Sequence, residues 1–334
     1  MACPRERREA AERTLVCDYG VRAENSRGRA VPEPECEIRT CFQRDVDRIT
    51  HSKSFRRLKH KTQVYLRPEG DHYRTRLTHT LEVSRLARTV ARALDLNEDL
   101  TEAMALGHDL GHTPFGHAGE RALAKIYEPG FKHYEQSLRV VDILERDGRG
   151  LNLCYETRMG ILHHTHGAPD DTREATIVRL SDRIAYINHD LDDTIRAGIL
   201  SAAEVPEMIR TRCGERNSER INSILTDLIE NSKNGEIKMS PYMQEAVDFF
   251  HSFMYSDVYT NPIAKSEEGK VDGIIDGLFS HYSKHPEQMP REMQLIAERE
   301  GVPRAVCDYI SGMTDGYAME KFSEIFIPMS WTVK

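Results

Sequence analysis

Apolar residues recur at helical spacing along most of this chain. Between positions 77 and 94 they are Leu77, Leu81, Leu86, Val90 and Leu94. This spacing is typical of an amphipathic helix. Asn97 has the residue type of an N-cap and predicts the start of a further helix that runs towards Leu106, with Gly111 as its stop.

The pattern resumes after a short connection. Thr113-Pro114 resembles an N-cap followed by proline at the first helical position, which places His112 in a tight connection. His117 and Glu120 then open the next helix, and their i, i+3 spacing puts them on one face. Another helix is predicted from about His133 to Arg146, ending near Gly148.

The longest helical pattern starts at Asp170 or Asp171, runs to Arg196 and stops at Gly198. At about 100° per residue, five of its ionisable residues share roughly a 100° arc. They are Asp182, Tyr186, His189, Asp190 and Asp193. Such a stripe is unusual on a purely structural helix that also carries apolar residues, so it indicates a functional site.

No sustained alternation of period two and no internal repeat is found, so we predict an all-α, multi-helix fold. Residues 1–37 carry charge and proline without an apolar period and are expected to be loosely ordered. Residues 38–200 form the predicted core. Residues 201–334 form a C-terminal helical extension packed on it, with polar connections at Ser232–Gly235 and Ser266–Gly269.

Composition narrows the class of protein. The chain has 334 residues and 39% apolar content, and no apolar run approaches the roughly 20 residues of a membrane span. Met1–Arg13 is charged and does not resemble a signal peptide. The seven cysteines are an odd number and contain no Cys-x-x-Cys pair, so we expect reduced thiols in a cytoplasmic protein.

Charge is distributed unevenly. Residues 1–92 hold 21 Lys/Arg against 13 Asp/Glu, a balance of +8, and the net charge of −8 leaves −16 for the remainder. A basic N-terminal third could face phosphates on a nucleotide or a nucleic acid, although charge runs usually mean solvated faces and ion pairs.

Candidate metal chemistry centres on the doublet His108-Asp109. His79 lies 29 positions before His108, and Asp182 lies 73 positions after Asp109. Two imidazoles and two carboxylates on separate helices suit Mn, Fe, Zn or, less well, Mg. Taken alone, His79 is more often a capped or core histidine, and only its joint placement with the other three favours a metal ligand.

Several motifs resemble the HD metal-dependent phosphohydrolases, and within them the bacterial dGTPase-like deoxynucleoside triphosphate triphosphohydrolases. They are Phe42–Asp45, His51–Val64, Arg76–Val83, His108–Glu120, Phe131–Arg139, Ser181–Tyr186 and Gly312–Asp315. The resemblance spans roughly residues 26–320. It implies an HD-domain fold and the hydrolysis of deoxynucleoside triphosphates, dGTP or several dNTPs, to the deoxynucleoside and intact triphosphate.

The resemblance also implies roles for residues. It assigns His79, His108, Asp109 and Asp182 to a divalent metal. His117, held by Glu120, is implied as the catalytic histidine, although the pair could also be a salt bridge at a helix start. His112 and His133 resemble further phosphate-facing histidines, for which a structural role stays open.

Substrate contacts follow from the same resemblance. Arg76 matches a phosphate-contacting arginine, and Arg183 is a weaker candidate because it points about 100° away from Asp182. Arg57 and Lys61 could line the entrance or belong to the surface. Gln63 and Asp190 match residues that hold the 3′-hydroxyl. Tyr186 matches a ring against C2′ of the deoxyribose, where it would reject a 2′-hydroxyl, with core packing as its other interpretation.

Two other functions stay open at this point. One is an HD-domain phosphohydrolase acting on another nucleotide, such as a 5′-nucleotidase or an alarmone hydrolase. The other is a nucleotide-sensing or nucleic-acid-binding module with little catalysis. The resemblance implies a homo-oligomer, a tetramer or hexamer. A dNTP effector and single-stranded DNA stay open as further partners, and no membrane association is expected.

Overall fold

The computed structural model describes residues 2–63, 74–260 and 267–328. Helices dominate these ranges, and the pairing between extended segments is limited to isolated bridges such as Thr62 with Thr75. The prediction of an all-α fold is confirmed. Among the residues described, no helix combines the length and the apolar character that crossing a membrane requires.

Seventeen helices are labelled here in chain order. They are α1 Pro4–Leu15, α2 Cys41–Thr50, α3 Lys53–Arg57, α4 Arg76–Ala93, α5 Glu98–Gly107, α6 Gly116–Ile126, α7 His133–Arg139, α8 Glu145–Gly148, α9 Tyr155–His163, α10 Arg173–Arg196, α11 Glu207–Arg212, α12 Asn217–Asn231, α13 Pro241–Phe253, α14 Glu268–Lys284, α15 Arg291–Glu300, α16 Val302–Ser311 and α17 Asp315–Phe326. Wider π-helical turns follow α7 at Val140–Leu144 and α13 at Met254–Val258.

Helix ends follow capping chemistry. Asn97 caps α5 as predicted, because its side chain accepts a hydrogen bond from Leu100 N at 3.1 Å. Thr172 caps α10 in the same way through Ala175 N, so that helix starts at Arg173, two or three residues after the predicted aspartates. Helix α5 ends at Gly107, before the predicted stop at Gly111, and α7 passes into its π-helical turn after Arg139.

One predicted helix start is wrong. Helix α6 begins at Gly116, with Phe115 as its N-cap in a left-handed conformation of φ 64°, whereas Thr113-Pro114 was expected to start it. The hydroxyl of Thr113 donates to Gly116 O at 2.9 Å and therefore braces the turn without capping the helix.

The expected loose order of residues 1–37 is wrong for residues 4–15, which form α1. The buried residue of this helix is the carboxylate Glu12, not an apolar side chain. Glu12 accepts hydrogen bonds from Ala23 N at 2.7 Å and from the Asn97 side chain at 3.4 Å. Burial raises the pKa of Glu12, and the hydrogen bond from Ala23 partly opposes that rise.

Within the described ranges, three apolar clusters build the interior. The largest joins α4, α5 and α10 to α12 and α13, so residues on both sides of position 200 share it. A second joins α6 to the C-terminal helices α14, α16 and α17. A third lies between α2, α3, α5 and α9. The predicted domain boundaries stay predictions, and Val64 and Ser266 of the sequence motifs lie outside the described residues.

Candidate functional site

Four predicted metal ligands come together from three helices. His79 lies on the first turn of α4, His108 and Asp109 directly follow α5, and Asp182 lies on α10. His79 Nε2 is 2.9 Å from Asp182 Oδ1, and His108 Nε2 is 3.7 Å from the same oxygen. His108 Nε2 is also 3.5 Å from Asp109 Oδ1. The structure therefore places side chains 103 positions apart at one point.

The donor atoms fit a divalent cation. His108 Nδ1 donates to Ala105 O at 2.6 Å, so its lone pair lies on Nε2, which is buried without a hydrogen-bond partner among the described residues. A buried acceptor without a partner, next to two carboxylates, lowers the stability of the fold unless a cation binds to it. Ligand atoms of His79, His108 and Asp109 lie within 4.8 Å of one another, which suits a mixed nitrogen and oxygen set.

Electrostatics keep both carboxylates ionised. Burial alone would raise the pKa of Asp182, but the hydrogen bond to His79 and the neighbouring His108 lower it to about 2. The pKa of Asp109 is held well below its ordinary value because the fields of His108 and Arg76 outweigh its burial. Arg76 Nη1 donates to Asp109 Oδ2 at 2.8 Å.

A second group of histidines surrounds Glu120. Glu120 Oε1 accepts from His133 Nδ1 at 2.9 Å and from His133 N at 2.8 Å, and Oε2 lies 3.2 Å from His117 Nδ1. Burial would raise the pKa of Glu120, but its hydrogen bonds with His117 and His133 hold it well below its ordinary value. Glu120 thus holds two imidazoles in fixed orientations.

His112 connects the two groups. Its ring stacks on His133 with 4.1 Å between centroids and 14° between planes, and its Nε2 lies 3.5 Å from Asp109 Oδ1. Burial and the nearby Arg76 guanidinium lower the pKa of His112 well below its usual value, so the ring is neutral. The residues predicted as metal ligands and those predicted as catalytic therefore form one continuous site.

Sequence reasoning missed His164. This buried residue follows α9, and its ring centroid lies 5.0 Å from that of His108. Its Nε2 lies 3.2 Å from His133 Nε2, so it touches both groups. The signal was the run His163-His164-Thr165-His166, whose density of imidazoles is high for a helix end.

The predicted sugar contacts lie further along α10. Asp190 Oδ2 accepts from the hydroxyl of Tyr259 at 2.6 Å, and the Tyr259 ring stacks on Tyr186 with 5.2 Å between centroids. Burial raises the pKa of Asp190 well above its ordinary value. Gln63 is buried, and its Oε1 has no hydrogen-bond partner among the described residues. Tyr259 was missed because it comes from the segment after α13, which carried no motif.

Three predicted substrate contacts stand apart from this cluster. The ammonium of Lys61 is buried and donates to His112 O and, at 2.8 Å, to Ser311 O. Arg183 pairs with Asp248 of α13 at 2.6 Å. Arg57 is exposed, and its guanidinium lies beside Gly312. The structure thus gives Lys61 and Arg183 protein partners, and their predicted substrate roles stay predictions.

Two protein-family models match this chain over ranges that include the candidate site. The HD domain model matches residues 76–187, and the phosphohydrolase-associated domain model matches residues 237–324. The first range contains all four predicted metal ligands. The second covers the C-terminal helices that pack on α6.

Full-length relatives decide the family. A deoxyguanosinetriphosphate triphosphohydrolase-like protein of Caldanaerobacter subterraneus subsp. tengcongensis is 52% identical over 98% of this chain and 97% of its own length. The chain belongs to this family. Family members from Desulfatibacillum aliphaticivorans and Clostridium tetani are 46% and 44% identical, each over 97% of this chain and over 98% and 96% of their own lengths.

Membership of the dGTPase-like family, together with its HD domain, makes the chain a hydrolase of the HD phosphohydrolase class with a His/Asp cluster that could hold a metal ion. Among solved structures, a hypothetical protein from Aquifex aeolicus superimposes with a TM-score of 0.50 at 19% identity, covering 84% of this chain and 71% of that chain. This likeness concerns the fold alone.

Proposed function

We propose that this protein hydrolyses deoxynucleoside triphosphates to the deoxynucleoside and intact triphosphate with a divalent metal ion. The observation that carries the proposal is the contact between the two groups of the site. His112 lies 3.5 Å from Asp109 and stacks on His133, which Glu120 holds. Asp109 belongs to the metal-capable cluster, which consists of His79, His108, Asp109 and Asp182. An ion and a proton-transfer pair can therefore act on one phosphate.

The residues His79, His108, Asp109 and Asp182 would hold the metal ion, for which Mn, Mg, Fe and Zn are candidates. When bound, such an ion supplies Lewis-acid activation of a phosphoryl oxygen and of water. His108 would contribute its Nε2, and Ala105 O fixes both the tautomer and the orientation of that ring.

Proton transfer is assigned to His117. Its side chain is 51% exposed and faces solvent, while Glu120 Oε2 fixes its Nδ1. With Nδ1 bound to a carboxylate, Nε2 is the atom that can deliver a proton to the departing 5′-oxygen of the nucleoside. A carboxylate that holds an imidazole also stabilises its protonated form.

Phosphate binding is assigned first to Arg76. This guanidinium is 2% exposed and uses Nη1 on Asp109, whereas its Nη2 is buried without a hydrogen-bond partner among the residues described. A buried, unpaired N–H group on a permanent cation is suited to a phosphate oxygen that gains charge during hydrolysis. His112 lies next to it and can donate to a neighbouring oxygen.

Sugar selection is assigned to the stacked pair Tyr186 and Tyr259. Tyr186 lies one helical turn after Asp182 on α10, so its ring stands beside the metal-capable cluster. A flat ring against C2′ leaves no room and no partner for a 2′-hydroxyl. Gln63 Oε1, which has no partner within the described part of the chain, and the carboxyl of Asp190 offer acceptors for the 3′-hydroxyl.

The test compares Asp182→Ala with Asp192→Ala, a control on the same helix whose carboxylate pairs with Arg74 and Arg196. We expect wild-type dGTP turnover to be lost on chelation and restored by Mn. Asp182→Ala should lose both bound metal and turnover, and Asp192→Ala should keep both. Full activity after complete metal removal would contradict the proposal.

A further inference from the structure

The turn before α6 has an unusual backbone. Phe115 and Gly116 both have positive φ, at 64° and 57°. The left-handed region is disfavoured for a residue with a bulky side chain and persists only where surrounding contacts determine it. Because this turn starts the helix that carries His117 and Glu120, whatever holds it also places those side chains.

Asp315, the first residue of α17, makes the decisive contacts. Its Oδ1 accepts from Phe115 N at 2.9 Å, across 200 positions of sequence. Its Oδ2 accepts from Thr62 N at 2.9 Å and from the Thr62 hydroxyl. The side chain is buried, at 5% exposure, so these bonds are shielded from water. Helix α17 is capped independently by Thr314, which accepts from Tyr317 N.

A second contact ties the same C-terminal segment to the other end of the connection. The buried Lys61 ammonium bridges His112 O and Ser311 O, the latter at 2.8 Å. Residues 311–315 therefore hold the segment 112–116 at both of its ends. The apolar side of α6 packs on the C-terminal helices as well, through Phe115, Ala118, Ala122 and Leu123.

The turn also touches the phosphate-binding arginine. A Cβ at Gly116 would lie 3.1 Å from Arg76 Nη2 and 3.3 Å from Gln63 O, so only glycine leaves this space free. Movement of the turn would shift α6 relative to Arg76 and Asp109. The distance between His117, the proposed proton donor, and the metal-capable cluster thus depends on the turn at Phe115 and Gly116 and on the residues that hold this turn.

We propose that Asp315 is a positioning residue of the hydrolytic reaction. Through Phe115 N–H and Thr62 it sets where α6 begins, and hence where His117 stands relative to Arg76. The inference rests on the proposed function and extends it, because the C-terminal extension becomes part of the machinery without supplying a group that reacts.

The experiment compares Asp315→Ala, Asp315→Asn and the control Asp276→Asn, which removes an exposed carboxylate from α14 of the same extension. Hydrogen exchange of peptides spanning 111–120 is measured together with Mn content, kcat and KM for dGTP. We expect Asp315→Ala to increase exchange in 111–120 and to lower kcat at least tenfold, with Mn content and KM within twofold of the wild type. Asp315→Asn keeps one side-chain acceptor, so its exchange and its kcat should lie between those of Asp315→Ala and the wild type. Asp276→Asn should match the wild type.

Unchanged exchange in 111–120 in Asp315→Ala, or a wild-type kcat per folded and metal-loaded chain, would overturn the proposal. If that variant does not fold, Thr62→Val removes only the hydroxyl bond and should show the same changes to a smaller degree. Wild-type protein that hydrolyses no dNTP would refute the proposed function, while the exchange measurement still decides whether Asp315 holds the turn.

Discussion

The Nε2 atoms of His133 and His164 lie 3.2 Å apart. His164 Nδ1 donates to Ile161 O at 2.7 Å, and burial together with the field of His108 lowers the pKa of His164 to about 3. A neutral His164 with hydrogen on Nδ1 presents a lone pair at Nε2, so His133 Nε2 donates to it. His133 Nδ1 donates to Glu120, and the ring is therefore fixed at both nitrogens.

The first prediction concerns this pair. Replacing His164 by Leu removes the nearer partner of His133 Nε2 and leaves the Thr165 hydroxyl at 3.5 Å, so His133 is held less firmly against His112, and kcat should fall roughly tenfold or more. His164→Gln offers an amide oxygen and should retain more activity. Steady-state kinetics with dGTP measures both, with His166→Gln, an exposed neighbour, as the control. Equal kcat in His164→Leu and wild type would refute the orienting role.

The second prediction separates chemistry from binding. His117→Ala should lower kcat by roughly 10²–10⁴-fold, because the 5′-oxygen departs without a positioned proton donor. Bound metal and dNTP affinity should stay at wild-type levels, since His117 contacts Glu120 and none of the four predicted ligands. Metal analysis and equilibrium binding check this, with the exposed His51→Ala as control. Loss of folding or of metal in His117→Ala would contradict the assigned role.

The third prediction addresses the sugar. Tyr186→Ala opens the space against C2′, so the preference for dGTP over GTP, measured as the ratio of kcat/KM values, should fall by roughly 10- to 100-fold. Tyr259→Phe keeps the stacked ring and loses the hydroxyl that donates to Asp190, so it should keep the preference. Tyr255→Ala, which is 66% exposed, is the control. An unchanged ratio in Tyr186→Ala would place the selection elsewhere.

The fourth prediction is a conflict between stability and function at Asp190. Burial raises its pKa above the unfolded value, so the folded state binds more protons and the free energy of unfolding falls as pH rises between the two values. Asp190→Asn removes this loss and should be more stable than the wild type at pH 8 by about 1–3 kcal/mol, with a smaller difference at pH 5. Its turnover should fall, because the proposed 3′-hydroxyl contact changes.

Denaturant unfolding of Asp190→Asn and the wild type at both pH values measures this difference. A variant less stable than the wild type at pH 8 would show that the ionised Asp190 carboxylate is stabilised in the folded protein.

Local sequence signals predicted the all-α fold and several helix ends, and the motif resemblance supplied the set of candidate metal ligands. Asn97 marked a helix start by its capping chemistry, and the ionisable stripe on α10 placed Asp182, Tyr186 and Asp190 on one face. The four predicted ligands converge because each lies on or directly after a helix whose apolar side packs in the same core.

Features set by distant contacts could not be predicted. Thr113-Pro114 carries a helix-start signal, yet α6 starts at Gly116, and the Phe115 N–H just before it donates to Asp315, 200 positions away. Lys61 was predicted to line the entrance or to belong to the surface, but its ammonium is buried and donates to the backbone carbonyls of His112 and Ser311. Tyr259 reaches Asp190 across 69 positions, a pairing that spacing along one helix cannot reveal.

Product analysis tests the central claim most directly. Metal-loaded protein is incubated with each dNTP, with GTP and ATP, and with mixtures, and the phosphorus products are separated. We predict that one or more dNTPs yield the deoxynucleoside and intact triphosphate, and that GTP and ATP are not hydrolysed. Activity that is seen only in mixtures would show in addition that a dNTP effector is required. Pyrophosphate or single phosphate as the product, or no turnover under any mixture, would contradict the assignment.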